Sequence, residues 1–424
     1  MDWQTTYNQF KTRSALDSIR ANELRQRSFE KFSQKGLPTK KLEAWKYTSL
    51  KDFSQIDWKV HSGEETHLTH EQMQEVSKLL PSDFINFVFV NGMLNQTLSD
   101  DPENLLEMQE IVEGDFNSDQ MHVESELLNL AQSFLNKKIN LIVKKHRTIE
   151  KPVQVVFVQS STDSMFLSEK LNVVLEENAE LKLLIHSFSF INSTADSMNL
   201  NISVNCGVSS RLQFIQLQNE DLESFHFSQV HLQAADHAQV TSLALTSGNK
   251  LTRNYLRTEF VGEGASAQVY GLAVGDADQH IDNYTFIEHA KGNNNSIQHY
   301  KSILSGASHS VFRGRVLIAP NAQKANSEQL NNNLLLTRQA QADSIPQLEI
   351  FADDVKAGHG STVGQLNNDE IFYFLSRGID QYTAVKMLSH GYATELIYKF
   401  ENKPIVKFLL QVLNSKLEKL VQNA

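Results

Sequence analysis

"NAELKLL" at residues 178–184, "SSRLQFI" at 209–215, "HAQVTSL" at 237–243 and "SAQVYGL" at 266–272 repeat one pattern. Each opens on a small or polar residue and runs into a short strand, and the starts fall 28–31 residues apart. Fixed spacing of short strands is the signature of a solenoid, whose coils bury their inner faces on neighbouring coils. The same period-two alternation fills residues 140–365: "INLIVKK", "VQVVFVQ", "LNVVLEE", "AELKLLIHSFSF", "MNLNISVNC", "RLQFIQLQ", "SQVHLQA", "AQVTSLAL", "AQVYGLAV", "NYTFIEH", "HSVFRGRVLIA" and "PQLEIFADD". Polar or glycine turns separate these runs, with hardly a helical stretch among them. So long an all-β region favours a barrel or a β-helix over a sandwich, and the repeat favours the β-helix. "NNN" at 331–333 and "GNNN" at 292–295 fit its turns, because asparagine tolerates left-handed geometry.

Helices are expected on both sides of this core. The first ~50 residues carry apolar positions at helical spacing and stop at Gly36 and Pro38. "INFVFVNGMLN" reads as a hairpin around Asn91-Gly92, a dipeptide suited to a tight turn. "SDDPENLLEMQEIVEGDFNSDQ" is acidic and expected to be solvated, whereas "ESELLNLAQSFL" fits an amphipathic helix. After residue 366, Asn367 or Asn368 can cap "NNDEIFYFLSRG", which Gly378 ends, and Asp380 can cap the next helix. "KPIVKFLLQVLNSKLEKLVQ" closes the chain with an apolar stripe of Ile405, Phe408, Leu409 and Leu413, for internal packing or for docking. The expected division is 1–140 helical and mixed, 141–366 parallel β-helix, and 367–424 helical.

The 424 residues are 40% hydrophobic and carry a formal charge of −11. That balance, with no long Lys/Arg cluster, argues against nucleic-acid binding. No apolar run reaches the ~18–20 residues of a membrane span, and the N-terminus lacks a secretory apolar region, so a cytoplasmic protein is expected. P-loop, H-E-x-x-H, C-x-x-C and G-x-S-x-G motifs are absent. A G-x-G-x-x-A at Gly262, Gly264 and Ala267 runs into strand instead of helix and reads as a solenoid turn.

The single cysteine, Cys206, is in phase with Leu200, Ile202 and Val204, so it reads as a core thiol. One thiol cannot supply the four thiolates that usually hold an iron–sulfur cluster. Among fifteen histidines, His280, His289 and His299 are too widely spaced to share one helix face or strand. "FADDVKAGHGSTVG", residues 351–364, reads as a loop presenting His359, with Asp353 and Asp354 serving the turn.

The run from Phe312 to Glu395 resembles the SufB/SufD family of iron–sulfur cluster assembly proteins. Its matching elements are Phe312 and Gly314, Ala322-Gln323-Lys324, Asn333 to Leu336, Pro346 and Leu348-Glu349-Ile350. Ala352 to Lys356, His359-Gly360, Phe372-Tyr373 and Ser376-Arg377-Gly378 complete them, and "DNYTFIEH" and "LEAWKYTSL" also look like family segments. The resemblance implies a right-handed parallel β-helix flanked by helices. It also implies a complex of one SufB, one SufD and two copies of the ABC-type ATPase SufC, with SufC on the C-terminal helices. The β-helix ends would pair, with a nascent cluster at that interface. SufB-like chains are usually longer and richer in cysteine, so this chain is most similar to the SufD branch.

Many members carry a cysteine two residues before the motif histidine; here that position is Ala357, which shifts the weight onto His359. The implied role is a non-catalytic scaffold subunit that stably binds no cofactor alone. His359 is the candidate metal ligand, and Asp353, Asp354, Gly360 and Arg377 are motif or interface residues. Alternatives are a homodimeric scaffold holding a cluster itself and, more remotely, a β-helix carbohydrate-active enzyme.

Overall fold

The computed structural model describes residues 1–13, 18–61, 66–101, 104–109, 125–190 and 194–422. The N-terminal part contains α1 (Trp3–Arg13), α2 (Ile19–Lys35), a 3-10 turn at Glu43–Trp45, α3 (Lys51–Gln55), β1 (Lys59–Val60) and α4 (His70–Ser77). Next come β2 (Ile85–Val90), β3 (Met93–Leu94), β4 (Leu106–Gln109) and α5 (Ser125–Ser133). The strand series then runs β5 (Lys138–Val143), β6 (Val153–Gln159), β7 (Met165–Leu175), β8 (Glu180–Ser189), β9 (Ser197–Cys206) and β10 (Arg211–Asn219). It continues β11 (Phe225–Ala234), β12 (Gln239–Thr246), β13 (Leu251–Phe260), β14 (Ser266–Gly275) and β15 (His280–His289). It ends with β16 (Asn295–Leu304), β17 (His309–Ile318), β18 (Asn326–Leu335), β19 (Gln341–Ile350) and β20 (Lys356–Gly364). Helices α6 (Asn368–Leu375), α7 (Gln381–Ile397) and α8 (Lys403–Gln422) follow.

From β5 onward, odd-numbered strands stack in one sheet and even-numbered strands in the other, all in parallel register, so the chain winds as the expected β-helix. The repeat is real, but its fourth copy is shifted. Glu180, Arg211, Gln239 and Ser266 form one row, so Ser266 pairs with Gln239 where the sequence alignment sets it against His237. A two-residue slip keeps every side chain on its face, which is why the pattern survives it.

Other expectations need correction. Residues 331–333 do not turn; they lie inside β18. Parallel stacking lets their amides bond to neighbouring coils: Ser302 donates to Asn333 Oδ1 at 2.7 Å, and Asn332 donates to Thr362 at 2.8 Å. Such ladders outweigh the poor strand propensity of asparagine. The other asparagine run does sit at a turn, with Asn293 at φ 60°. Strands β13 and β16 go unread in the sequence because their alternation is polar on both faces. The outer face of β13 is covered, with Arg253 stacked 4.0 Å over Trp45. The acidic segment is not wholly solvated, since β4 pairs with β5 and Leu105 is buried; residues 110–120 of it lie outside the described residues.

The Asn91-Gly92 hairpin is formed, joining β2 antiparallel to β3 with φ values of 46° and 83°. Asn367 and Asp380 cap α6 and α7 through their side chains, and Gly378 takes φ 78°. The lumen of the early coils is aliphatic, holding Leu171, Leu183, Ile202, Phe214 and Val240. N-terminal aromatic residues pack on the odd-strand sheet. The α8 stripe packs inward on Leu184, Ile215, Leu243 and Leu272 of the even-strand sheet, so it holds the fold together and is not a docking face. Full burial of each such side chain stabilises by about 1.5–3 kcal/mol. Among the described residues, no helix is long and apolar enough to cross a membrane.

Candidate functional site

The last coil ends both sheets. β19 pairs only with β17, and β20 only with β18. Each therefore presents a strand edge to whatever lies beyond the solenoid. Around this open end the apolar residues Ile350 (41% exposed), Phe351 (63%) and Val363 (53%) face solvent. The segment read as a loop is a short turn followed by β20, so His359 stands on a strand. The turn does contain Asp353 and Asp354, both exposed. It is closed by main chain: the Lys324 N–H donates to the Asp354 carbonyl at 2.6 Å, and the Asp354 N–H donates to Gln323 Oε1 at 2.9 Å.

Register decides which way His359 faces. It ends a row of cross-strand neighbours: Val153, Leu183, Phe214, Ser242, Val269, Gln298, Gln329, His359. Aligned residues of a parallel sheet share a face, and this row faces the lumen. The row turns from apolar to polar over its last coils. Gln298 and Gln329 are fully buried; Gln329 Nε2 donates to Gln298 Oε1 at 2.7 Å, and Thr285 donates to the same oxygen at 3.2 Å. The adjacent row runs Ser296, Ser327, Ala357, and Ser296 is hydrogen-bonded to both Ser327 and His289 at 2.9 Å. His359 itself is exposed at the mouth, and Ala357, two residues before it on the same face, is half-buried. A Cβ on Gly360 would meet Leu330 at 3.3 Å, whereas Gly358 has nothing within 4 Å.

The remaining candidates lie elsewhere. Cys206 ends β9, buried as expected, and burial pushes its thiol up to about 12. Five coils at ~4.8 Å per strand step put it about 24 Å from the mouth. His289 faces the lumen, His299 bonds Asn332 on the outside, and His280 lies against Thr48, so the three do not converge. Burial pushes His280 and His289 down to about 4. Among the described residues, no three His, Cys, Asp or Glu side chains are placed to hold a metal ion. At the open end this chain offers the exposed imidazole of His359.

Arg377 belongs to a second surface, stacked 4.5 Å from the Tyr373 ring at the end of α6. Helix α6 buries no residue; Phe372 is 69% exposed, Tyr373 54%, Leu375 43%, and Met387 on α7 49%. A cavity of about 440 Å³ lies beside it, lined by Leu336, Leu366, Ile371, Tyr382 and Val385. The sequence reading singled out Arg377 and expected docking on these helices, but did not read the exposed apolar face. Its signal was "IFYFL", five apolar residues in succession on a helix too short to bury them all.

Lys301 ties α7 to the even-strand sheet. Its ammonium pairs with Glu395, donates to the Tyr392 carbonyl at 3.0 Å and lies 4.3 Å from the Tyr392 ring. In register, Lys301 is followed by Asn332 and then Thr362 on β20. Helix α7 and the strand bearing His359 are thus joined by one outer-face row.

Comparison with known proteins agrees with this architecture. Residues 157–392 match the family model described as "SUF system FeS cluster assembly, SufBD core domain", and residues 2–155 match "SufBD protein N-terminal region". The iron–sulfur cluster assembly protein SufD of Escherichia coli is 30% identical over 404 residues, 92% of each chain. SufD of Bacillus subtilis is 26% identical, covering 74% of this chain and 72% of that one. A SufBD family protein of Synechocystis is 25% identical over 90% of this chain and 87% of its own length. The chain belongs to the SufB/SufD family of iron–sulfur cluster assembly proteins and is SufD-like.

Proposed function

We propose that this chain is a non-catalytic scaffold subunit of a cytoplasmic SufBCD-type complex, with the cluster as its cargo. The observation that carries the reading is the open end of the solenoid. There two one-sided strands, a rim of exposed Ile350, Phe351 and Val363, and a lumen row ending in His359 stand together. A paralogous SufB chain would cover the rim and bring thiolates, and His359 would add an imidazole to the iron. Mixed thiolate and imidazole ligation is ordinary iron chemistry. The exposed face of α6 and α7 would receive the SufC ATPase, and ATP-driven closure of two SufC subunits would pull on both scaffold chains. The Lys301 row supports transmission of that pull to β20.

Co-expression with SufB and SufC followed by affinity purification tests the partners. A stable complex is expected, and its failure over a range of salt concentrations would sink the docking assignments. In that complex, His359→Ala should leave folding and SufB binding intact while cluster yield drops at least several-fold. Unchanged yield removes His359 from the mechanism.

A further inference from the structure

Gln329 is the immediate register neighbour of His359, on the same lumen face. Its position is fixed: the residue is fully buried, and its Nε2 donates to Gln298 Oε1, which Thr285 also holds. The carbonyl end is not used. Gln329 Oε1 is buried and finds no hydrogen-bond partner among the described residues, His359 included, and the Nε2 of neighbouring Gln298 is likewise buried and unpartnered. A buried amide oxygen left without a donor costs about 1–3 kcal/mol, so it marks a place where a donor arrives. Nε2 is committed to Gln298 on β16, and the register neighbour of Gln329 on its other side is His359 on β20. Residues in one row of neighbouring strands stand ~4.8 Å apart at the backbone, within reach of a glutamine and an imidazole.

We infer that Gln329 is a positioning residue for His359: its Oε1 accepts one ring N–H of the imidazole, and the other ring nitrogen is left bare toward the mouth. A neutral imidazole binds iron through an unprotonated nitrogen, and the bond made by its other nitrogen sets the tautomer and ring plane. The lumen amides would thereby present the lone pair to a partner's site before any partner arrives. This inference rests on the proposed ligand role of His359 for its purpose, but its geometry can be tested without iron.

The test is the tautomer of His359 in the full-length chain, labelled with ¹⁵N-histidine. Long-range ¹H–¹⁵N correlation at pH 8 reads it, and His359→Ala assigns the signal. One tautomer should dominate by about tenfold, as a single intact hydrogen bond predicts. Gln329→Met should bring the ratio to that of a free histidine side chain, and Gln329→Glu, which keeps an oxygen acceptor, should restore the bias. A His359 ratio equal to free histidine in the unsubstituted chain overturns the inference, so the test survives even if Gln329→Met fails to fold. A bias that persists in folded Gln329→Met overturns it equally. If the tautomer responds but His359→Ala assembles cluster normally, the positioning stands and the ligand reading falls. In the assembled complex, Gln329→Met should lower iron occupancy about tenfold, in the range of lost outer-shell partners; unchanged occupancy where His359→Ala does lower it would refute the claim that the positioning serves iron binding.

Discussion

Replacing Gly314 with alanine should strain the lumen beneath the candidate site. Gly314 lies on β17, and a Cβ there would overlap the Gln329 amide nitrogen and come to 2.8 Å from both Gln329 Cδ and Phe312 Cζ. Ordinary contact begins near 3.4 Å, so the Gln329 side chain must retreat. Its retreat breaks the 2.7 Å bond to Gln298, leaving the buried Gln329 amide nitrogen unpaired while Thr285 still donates to Gln298 Oε1. Phe312 cannot give way freely, because it is buried and stacked 4.8 Å from Tyr300. Overpacking costs about 1–3 kcal/mol, and a lost buried hydrogen bond adds about 1–3 kcal/mol. The expected loss is therefore on the order of 2–6 kcal/mol, read as a lower urea midpoint with unchanged slope. Combining Gly314→Ala with Gln329→Ala removes the clashing amide, so the second change should cost much less in the double variant. A Gly314→Ala midpoint matching the parent, or the same cost in the Gln329→Ala background, would refute this account of the lumen.

Three further outcomes are expected. Burial pushes the Glu169 carboxyl, inside the solenoid, up to about 8. Its folded-state value is raised, so its contribution is complete at acid pH and is lost as pH rises through about 8. Urea midpoints should fall between pH 7 and 8, where the buried His186, His280 and His289 are neutral in the fold and largely neutral when unfolded, and Glu169→Gln should flatten the decline; equal slopes would refute the assignment. Lys301→Met should loosen α7 by about 1–3 kcal/mol, the range for a hydrogen-bonded charge, seen as faster amide exchange in α7 but not in β10–β12. The hydrogen bond from Lys301 holds Glu395 below its ordinary range, so the pair's contribution is present above that range and fades as acid protonates Glu395. Cys206 should resist thiol reagents at pH 8 until the chain is unfolded; rapid native labelling would contradict its burial.

The β-helix was legible wherever one face of a strand was aliphatic and the other largely polar, as in β8, β10 and β12. It became illegible where a second layer covers a strand or where the lumen turns polar. β13 hides behind buried Arg253 and Arg257, β18 behind its asparagines, and β20 behind its glycines. Periodicity reports solvent contrast, and these strands have little of it. His359 could be singled out from the sequence, but not its direction, because that depends on register with Gln329 on the fourteenth strand of the winding. The unsatisfied oxygen beneath it has no sequence signal at all.

The two exposed edges are not equivalent, and the difference bears on how a partner is received. β19 contains Pro346, which has no N–H to offer another strand. Its outer face is held to β17 by two diagonal contacts, a hydrogen bond between His309 and Asp343 at 2.7 Å and an ion pair between Arg315 and Glu349 at 2.7 Å. Proline and charge at an edge discourage further pairing. β20 has no proline; Gly358, Gly360 and Gly364 leave stretches of its backbone bare, and Val363 is the only large apolar side chain it exposes. A partner strand can therefore lie close along β20, the strand that bears His359, while β19 serves as a fixed wall. The same glycines that weaken β20 as an isolated strand suit it to completion by another chain, and the register that makes His359 the last residue of the lumen row puts the imidazole at that seam.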